Sequence, residues 1–188
     1  MDEIAWRGDF YNAAAVLEFG CGTGRFAARL LQTKLPAGAA YLGLDVSPTM
    51  VGLAGEALAP WRGRARVELS DGSTTLPVAD GRYDRFLSTY VLDLLSPSDS
   101  ARLLDEAYRA LRPGGLLALA SLTPGPTPPS RALAGLWKGL WRIDPRVVGG
   151  CRPVELAALV APERWRVRDR LAVTRLALSS EVLIAERL

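Results

Sequence analysis

The sequence predicts a doubly wound α/β fold, in which a mostly parallel sheet is covered by helices on both faces. Three observations lead to this prediction. Strand-like and helix-like patterns alternate from residue 13 to residue 121. The strand-like segments are almost continuously apolar, as is typical of strands buried on both faces. The first strand runs into a glycine-rich turn and then a helix, the element that holds ligands in sheets of this kind.

Five strands and three helices account for the first part of the chain. The strands are expected at 13–19, 40–45, 66–70, 84–90 and 116–121, and the helices at 24–32, 48–59 and 97–111. Ser47 followed by Pro48, and Ser96 followed by Pro97, are start signals for the second and third helices. The sequence Arg112-Pro113-Gly114-Gly115 is typical of a helix end. A loop rich in Gly, Ser, Thr and Pro fills 71–82.

A proline-rich stretch at 123–130 interrupts this alternation and predicts a surface loop. A helix at 131–142 should follow, with an apolar stripe and basic residues mostly off that stripe. The stripe consists of Leu133, Leu136, Trp137, Leu140 and Trp141, and the basic residues are Arg131, Lys138 and Arg142. A helix at 153–161 and strands at 164–171 and 180–187 complete the chain. We expect one domain over 1–188, in which 123–150 forms a substrate-side insertion.

Length and composition describe an ordinary globular domain. The chain has 188 residues, of which 49% are hydrophobic and 23% charged. No apolar run approaches the roughly 20 residues that span a bilayer, and the N-terminus lacks a signal-peptide pattern. Cys21 and Cys151 lie 130 positions apart and make neither a disulfide framework nor a metal site. We therefore expect a cytoplasmic location.

The chain contains no histidine, which excludes histidine-based triads and histidine metal sites, so we expect no metal. Charge is uneven along the chain. Residues 1–124 carry 12 basic and 14 acidic side chains, whereas residues 125–188 carry 11 and 6. This excess describes either a solvated basic face or a patch for an anionic substrate or membrane surface. No arginine run is interleaved with aromatic residues, so we expect no nucleic-acid partner.

The first glycine-rich turn carries the most information about function. It reads Val-Leu-Glu-Phe-Gly-Cys-Gly-Thr-Gly-Arg over residues 16–25, with glycines at 20, 22 and 24. A dinucleotide-binding loop needs the spacing G-x-G-x-x-G, but the sixth position counted from Gly20 is Arg25, and from Gly22 it is Ala27. The pattern E-x-G-x-G-x-G instead closely resembles motif I of the class I S-adenosylmethionine (SAM)-dependent methyltransferases.

Four further parts of the chain resemble the other motifs of that family, in the family's order. They are Leu44-Asp45-Val46-Ser47-Pro48-Thr49-Met50; Ser70-Asp71-Gly72 with Leu76-Pro77; Tyr83-Asp84-Arg85-Phe86 with Tyr90-Val91-Leu92-Asp93-Leu94-Leu95; and Leu111-Arg112-Pro113-Gly114-Gly115-Leu116. The resemblance covers roughly residues 13–188. It implies a Rossmann-like sheet of seven strands, mostly parallel with an antiparallel last strand, and is nearest to small-molecule enzymes such as quinone-biosynthesis methyltransferases.

The resemblance also implies a SAM site. Backbone amides of Gly20, Gly22 and Gly24 would meet the methionine carboxylate and ribose, with Cys21 as a small filler of the loop. Asp45 would accept from the ribose hydroxyls, and Glu18 would meet the methionine ammonium. Asp71 and Gly72 would meet the adenine, and Val46, Met50 and Tyr90 complete the predicted site. Structural alternatives remain open: a helix-start charge for Asp45, a plain Asp-Gly turn for Asp71 and a purely structural partner for Glu18.

Methyl transfer from a sulfonium needs alignment and exclusion of water more than it needs acid–base groups. If a base is required, Tyr90 and Asp93 are the predicted catalytic residues, and Asp99 lies just beyond them. Many relatives have histidine where Asp93 stands, so the resemblance favours catalysis by proximity. The alternative for Asp93 is a solvated loop carboxylate or a helix-start carboxylate.

Two segments have more than one interpretation. About twelve residues precede the first strand, and Trp6, Phe10 and Tyr11 form either a stub of a lid (1–12) or part of a more open site. Helix 131–142 is a mobile cover over the acceptor, ordinary core packing, or a weak membrane-surface attachment. The oligomeric state stays open.

The predicted function is methyl transfer from SAM to a small-molecule acceptor, possible examples being lipid- or quinone-like molecules. The alternatives are a SAM-binding protein without turnover and a SAM enzyme that transfers another group. A nucleotide-dependent oxidoreductase is disfavoured by the glycine spacing.

Overall fold

A computed structural model of the chain describes residues 2–175 and 178–188. Seven strands form one sheet within this part of the chain. They are β1 (Ala15–Phe19), β2 (Ala40–Asp45), β3 (Ala65–Leu69), β4 (Tyr83–Thr89), β5 (Leu111–Thr123), β6 (Trp165–Arg175) and β7 (Leu178–Arg187). Their order across the sheet is β3-β2-β1-β4-β5-β7-β6.

The strand directions confirm the predicted fold class. Strands β1 to β5 pair in parallel, whereas β7 lies between β5 and β6 and is antiparallel to both. The chain builds the sheet outward from β1 to β3 and then returns to β4 on the other side of β1. This reversal creates a crevice at the carboxyl ends of β1 and β4, the place where open α/β sheets bind ligands.

Five α-helices lie among the described residues: α1 (Asp2–Arg7), α2 (Arg25–Thr33), α3 (Pro48–Ala57), α4 (Pro97–Ala110) and α5 (Pro128–Ile143). The predicted start signals are confirmed. The Ser47 Oγ accepts from the Met50 N–H at 3.4 Å, and the Ser96 Oγ accepts from the Asp99 N–H at 3.0 Å. Helix α5 begins earlier than predicted because Thr127 and Ser130 form a capping box before it.

Two apolar cores cover the two faces of the sheet. One lies beneath α4 and includes Leu17, Phe86 and Leu117. The other lies beneath α1 and α2 and includes Val16, Leu30, Leu87 and Phe10. The interpretation of Phe10 as part of a lid is therefore wrong, because its ring is fully buried, whereas Trp6 is 67% exposed. Ile4 and Ala5 also pack in this core, so α1 rests on the sheet.

The predicted helix at 153–161 is also wrong. Only Leu156–Ala158 form a single 3₁₀ turn there. The Val154 N–H donates to the Leu122 carbonyl at 2.8 Å, and the Leu156 N–H donates to the buried Glu181 carboxylate at 3.2 Å. These bonds tie the backbone to β5 and β7.

The remaining boundaries differ modestly from those predicted. Strand β5 starts at Leu111 rather than 116, because the residues after α4 pair with Tyr83 before a register shift. Strands β6 and β7 are longer than predicted, and residues 176–177 lie outside the described residues. None of the helices in the described ranges has the length and apolar character needed to cross a membrane.

Candidate cofactor-binding site

The predicted cofactor residues come from the carboxyl ends of the first strands, which meet at one edge of the sheet. An open groove at this edge runs along the loop between β1 and α2. It is lined by Glu18, Gly20, Cys21, Gly22, Thr23, Arg25, Phe26, Arg29 and Thr89. The structure thus brings Glu18 and the glycine loop together, and it places Asp45 directly behind that loop.

The three glycines of the loop all have positive φ angles, but they are glycine for different reasons. A Cβ on Gly20 would lie 2.3 Å from the Val91 side chain. A Cβ on Gly24 would lie 2.9 Å from the Cα of Ala54, where α2 and α3 pack closely. A Cβ on Gly22 would meet nothing within 4 Å. Packing therefore explains Gly20 and Gly24, whereas the space beside Gly22 is open for a ligand.

Asp45 fixes the shape of this loop. Its Oδ2 accepts a hydrogen bond from the Gly22 N–H at 2.8 Å, and its Oδ1 accepts one from the Ser47 N–H at 3.0 Å. The carboxylate is half-buried at the end of β2. Each carboxylate oxygen has a second lone pair, so both can still accept from a pair of hydroxyl groups.

Glu18 is a buried carboxyl group at the floor of the groove, with only 1% of its surface exposed. Its Oε2 accepts a hydrogen bond from the Tyr41 hydroxyl at 2.6 Å. Burial raises the pKa of Glu18 to about 8, although the Tyr41 hydrogen bond opposes the rise. The group is therefore largely protonated at pH 7, and a nearby cation would favour its ionised form.

Cys21 does not have the properties of a reactive thiol. Burial, followed by the nearby carboxylates of Glu18 and Asp45, raises its pKa to about 12. Since the thiolate is the nucleophilic form, a thiol with this pKa is inert at pH 7. The structure agrees with the interpretation of Cys21 as a small side chain that fills the loop.

The predicted adenine side of the site is open and partly apolar. Val46 directly follows β2, and Leu69 is the last residue of β3. Both are large aliphatic residues that are more than half exposed. Gly72 has a φ of +87°, and a Cβ there would approach Val46 at 3.4 Å. Asp71 is exposed, and its Oδ1 accepts from the Ser73 N–H at 2.8 Å. That bond closes a turn over residues 71–73, in keeping with the structural alternative for Asp71. It also lowers the pKa of Asp71.

Met50 lies in the first turn of α3 and is half-buried. Its N–H donates to the Ser47 Oγ, so its backbone starts the helix that follows Asp45.

Tyr90 directly follows β4 and has a left-handed backbone, with a φ of +56°. A bulky residue is uncommon in this region, and such outliers concentrate at functional sites. Its N–H donates to the Ala120 carbonyl at 2.8 Å, and its hydroxyl donates to the Ser180 Oγ at 3.1 Å. The half-exposed ring therefore reaches across β5 to β7 at the edge where the crevice opens.

Asp93 requires a correction. It is 1% exposed, so it is neither a solvated loop carboxylate nor a base that faces the groove. Its Oδ1 has no hydrogen-bond partner among the described residues, and burial raises its pKa. Asp99 lies in the first turn of α4 and pairs with Arg102. Neither carboxylate contacts the groove, and we assign no catalytic role to either.

Residues 149–152, which we call the strap, connect α5 to the loop after β4. The indole N–H groups of Trp137 and Trp141 donate to the carbonyls of Cys151 and Gly150, each at 2.9 Å. The Arg152 N–H donates to the Asp93 carbonyl at 2.8 Å, and its guanidinium donates to the Leu95 carbonyl at 2.7 Å. The strap therefore lies against the loop that follows Tyr90.

Helix α5 does not pack as a core helix. Among its described side chains only Ser130 is buried, so the core-packing interpretation is wrong. Its predicted stripe divides into two faces. Leu133, Trp137 and Trp141 are half-buried on the side of the strap, whereas Leu136 and Leu140 are exposed. The side chain of Arg142 lies outside the described residues.

Sequence reasoning missed three groups that the structure adds to the site. Tyr41 binds Glu18, Thr89 lines the groove, and Ser180 accepts from Tyr90. A tyrosine in an otherwise apolar buried strand needs a hydroxyl partner, and that signal could have paired Tyr41 with Glu18. Ser180 comes from an antiparallel strand far along the chain, and no local pattern connects it with Tyr90.

The inserted antiparallel strand, the glycine loop after β1 and the carboxylate at the end of β2 define the class: this is the fold and site arrangement of class I SAM-dependent methyltransferases. The fold is similar to that of the [4+2]-cyclase SpnF, with a TM-score of 0.75 and 18% sequence identity, over 99% of this chain and 79% of that one. Residues 16–115 match the family model described as a methyltransferase domain, and the chain belongs to that family.

Two curated relatives match more than half of this chain. The malonyl-[acyl-carrier protein] O-methyltransferase of Dechloromonas aromatica is 39% identical over 109 residues, which is 58% of this chain and 37% of that protein. The demethylmenaquinone methyltransferase of Lactiplantibacillus plantarum is 36% identical over 105 residues, 55% of this chain and 43% of that protein. The matched segments thus cover less than half the length of either relative.

Proposed function

We propose that the protein transfers a methyl group from SAM to a small-molecule acceptor. The observation that carries this proposal is the open space beside Gly22, framed by Glu18 below and by the Asp45-anchored loop beside it. SAM presents an ammonium, a carboxylate, a ribose diol and an adenine. The buried carboxyl group of Glu18 corresponds to the ammonium, the Asp45 carboxylate to the diol, and the exposed aliphatic surface to the adenine. The N–H groups of Gly20, Gly22 and Gly24, predicted to meet the ligand, instead donate to the Leu44 carbonyl, the Asp45 carboxylate and the Cys21 carbonyl.

In this arrangement Glu18 holds the methionine ammonium and Asp45 accepts from the ribose hydroxyls. Val46 and Leu69 cover the two sides of the adenine, which explains why such large aliphatic groups are exposed in the free protein. Asp71 and Gly72 contact the adenine edge. The sulfonium methyl then lies near Tyr90, at the crevice between β1 and β4.

Transfer itself is an in-line displacement in which the acceptor attacks the methyl carbon and the sulfur leaves as a thioether. Positive charge on sulfur disperses during this step, so alignment supplies most of the rate. Of the two predicted catalytic residues, Asp93 is buried away from the groove, which leaves Tyr90 beside the methyl position. The proposal therefore requires an acceptor that is already nucleophilic, or one whose proton leaves to water.

A labelled-methyl assay tests this proposal. Purified protein is incubated with SAM that carries a tritiated methyl group and with pools of small organic acids, phenols and quinols. Transfer of label to one pool, lost in the Asp45→Ala variant, supports the proposal. Binding of SAM without transfer to any pool favours a binding protein without turnover. The comparison with SpnF gives weight to that outcome, because this fold neighbour is named as a cyclase.

We also propose that the strap and α5 cover the acceptor, since the strap lies against the loop after Tyr90. Trp137→Phe with Trp141→Phe removes two indole donors and keeps aromatic bulk. Each lost hydrogen bond is worth about 0.5–1.5 kcal/mol, so the strap should open more often. We expect faster hydrogen exchange at the Arg152 amide and unchanged affinity for SAM. Trp6→Phe, at an exposed position on α1, is the control. Unchanged exchange in the double variant would contradict this role of the tryptophans.

We also propose that the exposed side of α5 contacts an anionic lipid surface. Leu136, Leu140, Ile143 and Val147 form an exposed aliphatic ridge, and Ile143 is 84% exposed. Residues 124–154 carry five basic side chains and one acidic side chain. The ridge is aliphatic, and the indole groups of both tryptophans bond to the strap. Hot spots of protein–protein interfaces are rich in aromatic side chains, whereas this ridge is aliphatic. The ridge therefore suits the boundary between lipid headgroups and acyl chains better than it suits a protein partner.

Vesicle co-sedimentation tests the lipid contact. We expect the protein to sediment with vesicles that contain phosphatidylserine and to remain free of phosphatidylcholine vesicles. Ile143→Ser with Val147→Ser should abolish sedimentation without loss of stability, because both side chains are exposed. Val167→Ser, at an exposed apolar position on β6, is the matched control. Absence of sedimentation by the unaltered protein would refute the lipid contact and point to an acidic protein partner instead.

A further inference from the structure

A second hollow lies at the opposite edge of the sheet from the cofactor groove. It has a volume of about 340 Å³, within the roughly 300–1,000 Å³ range of small-molecule sites. Its floor includes Ala15, Ala40 and Ala65, the first residues of β1, β2 and β3. The first two are partners in the parallel register, so neighbouring strands begin with side chains too small to fill the space between them.

Arginines surround this alanine floor. Arg62, Arg64, Arg66 and Arg82 all line the hollow. Arg64 is committed to the fold, because its guanidinium donates to the carbonyls of Leu31, Pro36 and Ala39. The other three are exposed at the rim. Arg66 pairs with Glu68 at 3.1 Å, but both side chains are largely exposed, so that pair contributes little and can rearrange.

Arg62 and Arg82 have no ion pair and donate no side-chain hydrogen bond within residues 2–175 and 178–188. Tyr83 forms a wall of the hollow, and its ring is 7% exposed. Burial raises the pKa of Tyr83, the charges of Arg66 and Arg82, which line the same hollow, oppose the rise, and the charge of Glu68 adds to it. The Tyr83 hydroxyl likewise has no hydrogen-bond partner among the described residues.

We propose that this arginine hollow binds a small organic molecule that carries a phosphate group. Guanidinium groups match phosphate oxygens with paired N–H donors, and the Tyr83 hydroxyl supplies one more donor. The alanine floor accepts an apolar or planar body attached to the phosphate. Gathering several positive charges around one hollow is unfavourable through mutual repulsion, and a bound dianion removes that repulsion. The site is separate from the SAM groove and does not depend on the proposed transfer.

Calorimetric titration with phenyl phosphate and with inorganic pyrophosphate tests this site. The full chain is titrated with each probe, both with and without S-adenosylhomocysteine. This ligand shows whether the probes compete for the cofactor groove. The test variant is Arg62→Gln with Arg82→Gln, since both residues are exposed and unpaired among the described residues. Arg131→Gln, an exposed arginine on α5, is the matched control for a general loss of positive charge.

We expect saturable binding of both probes by the unaltered protein and by the Arg131→Gln variant. The double variant should bind at least about tenfold more weakly, because two charge-assisted contacts are lost. S-Adenosylhomocysteine should leave probe binding unchanged. Equal affinity in the double variant, no binding by the unaltered protein, or displacement of the probes by S-adenosylhomocysteine would each overturn the proposal. A Tyr83→Phe variant that binds phenyl phosphate as tightly as the unaltered protein would remove Tyr83 from the site.

Discussion

Replacement of Gly22 by asparagine should abolish SAM binding while leaving the protein folded. Asparagine tolerates a positive φ better than other residues with side chains, so the φ of +54° at this position costs little. The added side chain enters the space beside Gly22, which holds no protein atom within 4 Å of a Cβ. Calorimetry should show affinity at least about 100-fold weaker, equivalent to about 2.7 kcal/mol.

Two other glycines separate this effect from backbone strain. Gly81 has a φ of +62° and lies just before β4, at the edge of the sheet away from the groove. Gly81→Asn should therefore bind SAM normally. Gly24→Ala should lower the free energy of unfolding by about 1–3 kcal/mol, since its Cβ would collide with α3. A folded Gly22→Asn protein that binds SAM as tightly as the unaltered chain would show that the loop does not hold the cofactor.

The affinity for S-adenosylhomocysteine should rise with pH and level off above about pH 8. The pKa of Glu18 is raised to about 8, so this carboxyl group is protonated at lower pH and must lose a proton to pair with the ligand's ammonium. The ligand's ammonium, which stands beside its own carboxylate, stays charged over this pH range. Affinity should therefore fall by up to about tenfold per unit as the pH drops below about 7.5.

The same shift has a consequence for the free protein. Because the folded pKa of Glu18 lies above its ordinary value of 4.5, the stability it contributes is fully present below about pH 4.5. That contribution is lost as the pH rises through about 8. Urea unfolding of the unaltered protein and of Glu18→Gln should therefore show the largest difference in pH dependence between these two values.

Glu18→Gln and Tyr41→Phe are the variants that test this account of binding. Glutamine carries no titrating proton, so the slope below pH 7.5 should disappear. Tyr41→Phe removes a hydrogen bond that lowers the pKa of Glu18, so the slope should move to higher pH. Affinity that does not change between pH 6 and 8 in the unaltered protein would contradict the pairing of Glu18 with the ligand's ammonium.

Local signals predicted most of the sheet and its helix starts. Strand β2 was predicted with the observed bounds because an apolar run ends at Asp45 and is followed by the Ser47 cap and Pro48. The caps at Ser47 and Ser96 depend only on residues within one helical turn, so the sequence contains all the information they need. The same holds for the glycine loop, whose spacing excludes a dinucleotide fingerprint.

Features that depend on distant partners could not be predicted. Gly20, Gly22 and Gly24 look equivalent in the sequence, but Val91 and Ala54 give two of them packing roles. The segment 153–161 has helix-forming residues, yet it bonds to β5 and to Glu181 and contains only one 3₁₀ turn.

Asp93 shows the same limit at a candidate catalytic residue. Its position after β4 suggests access to the reacting atoms. The sequence does not reveal that Asp93 is buried, because the strap residues that lie against it come from a part of the chain almost 60 positions away. No pattern near Asp93 encodes that contact.

The central claim is that the groove along the loop after β1 holds SAM. Isothermal titration of the unaltered protein with SAM, S-adenosylhomocysteine and NAD tests it most directly. We expect saturable binding of the first two at one site per chain and no heat of binding with NAD. Binding of NAD, or no binding of either SAM or S-adenosylhomocysteine by the folded protein, would contradict the assignment of this groove.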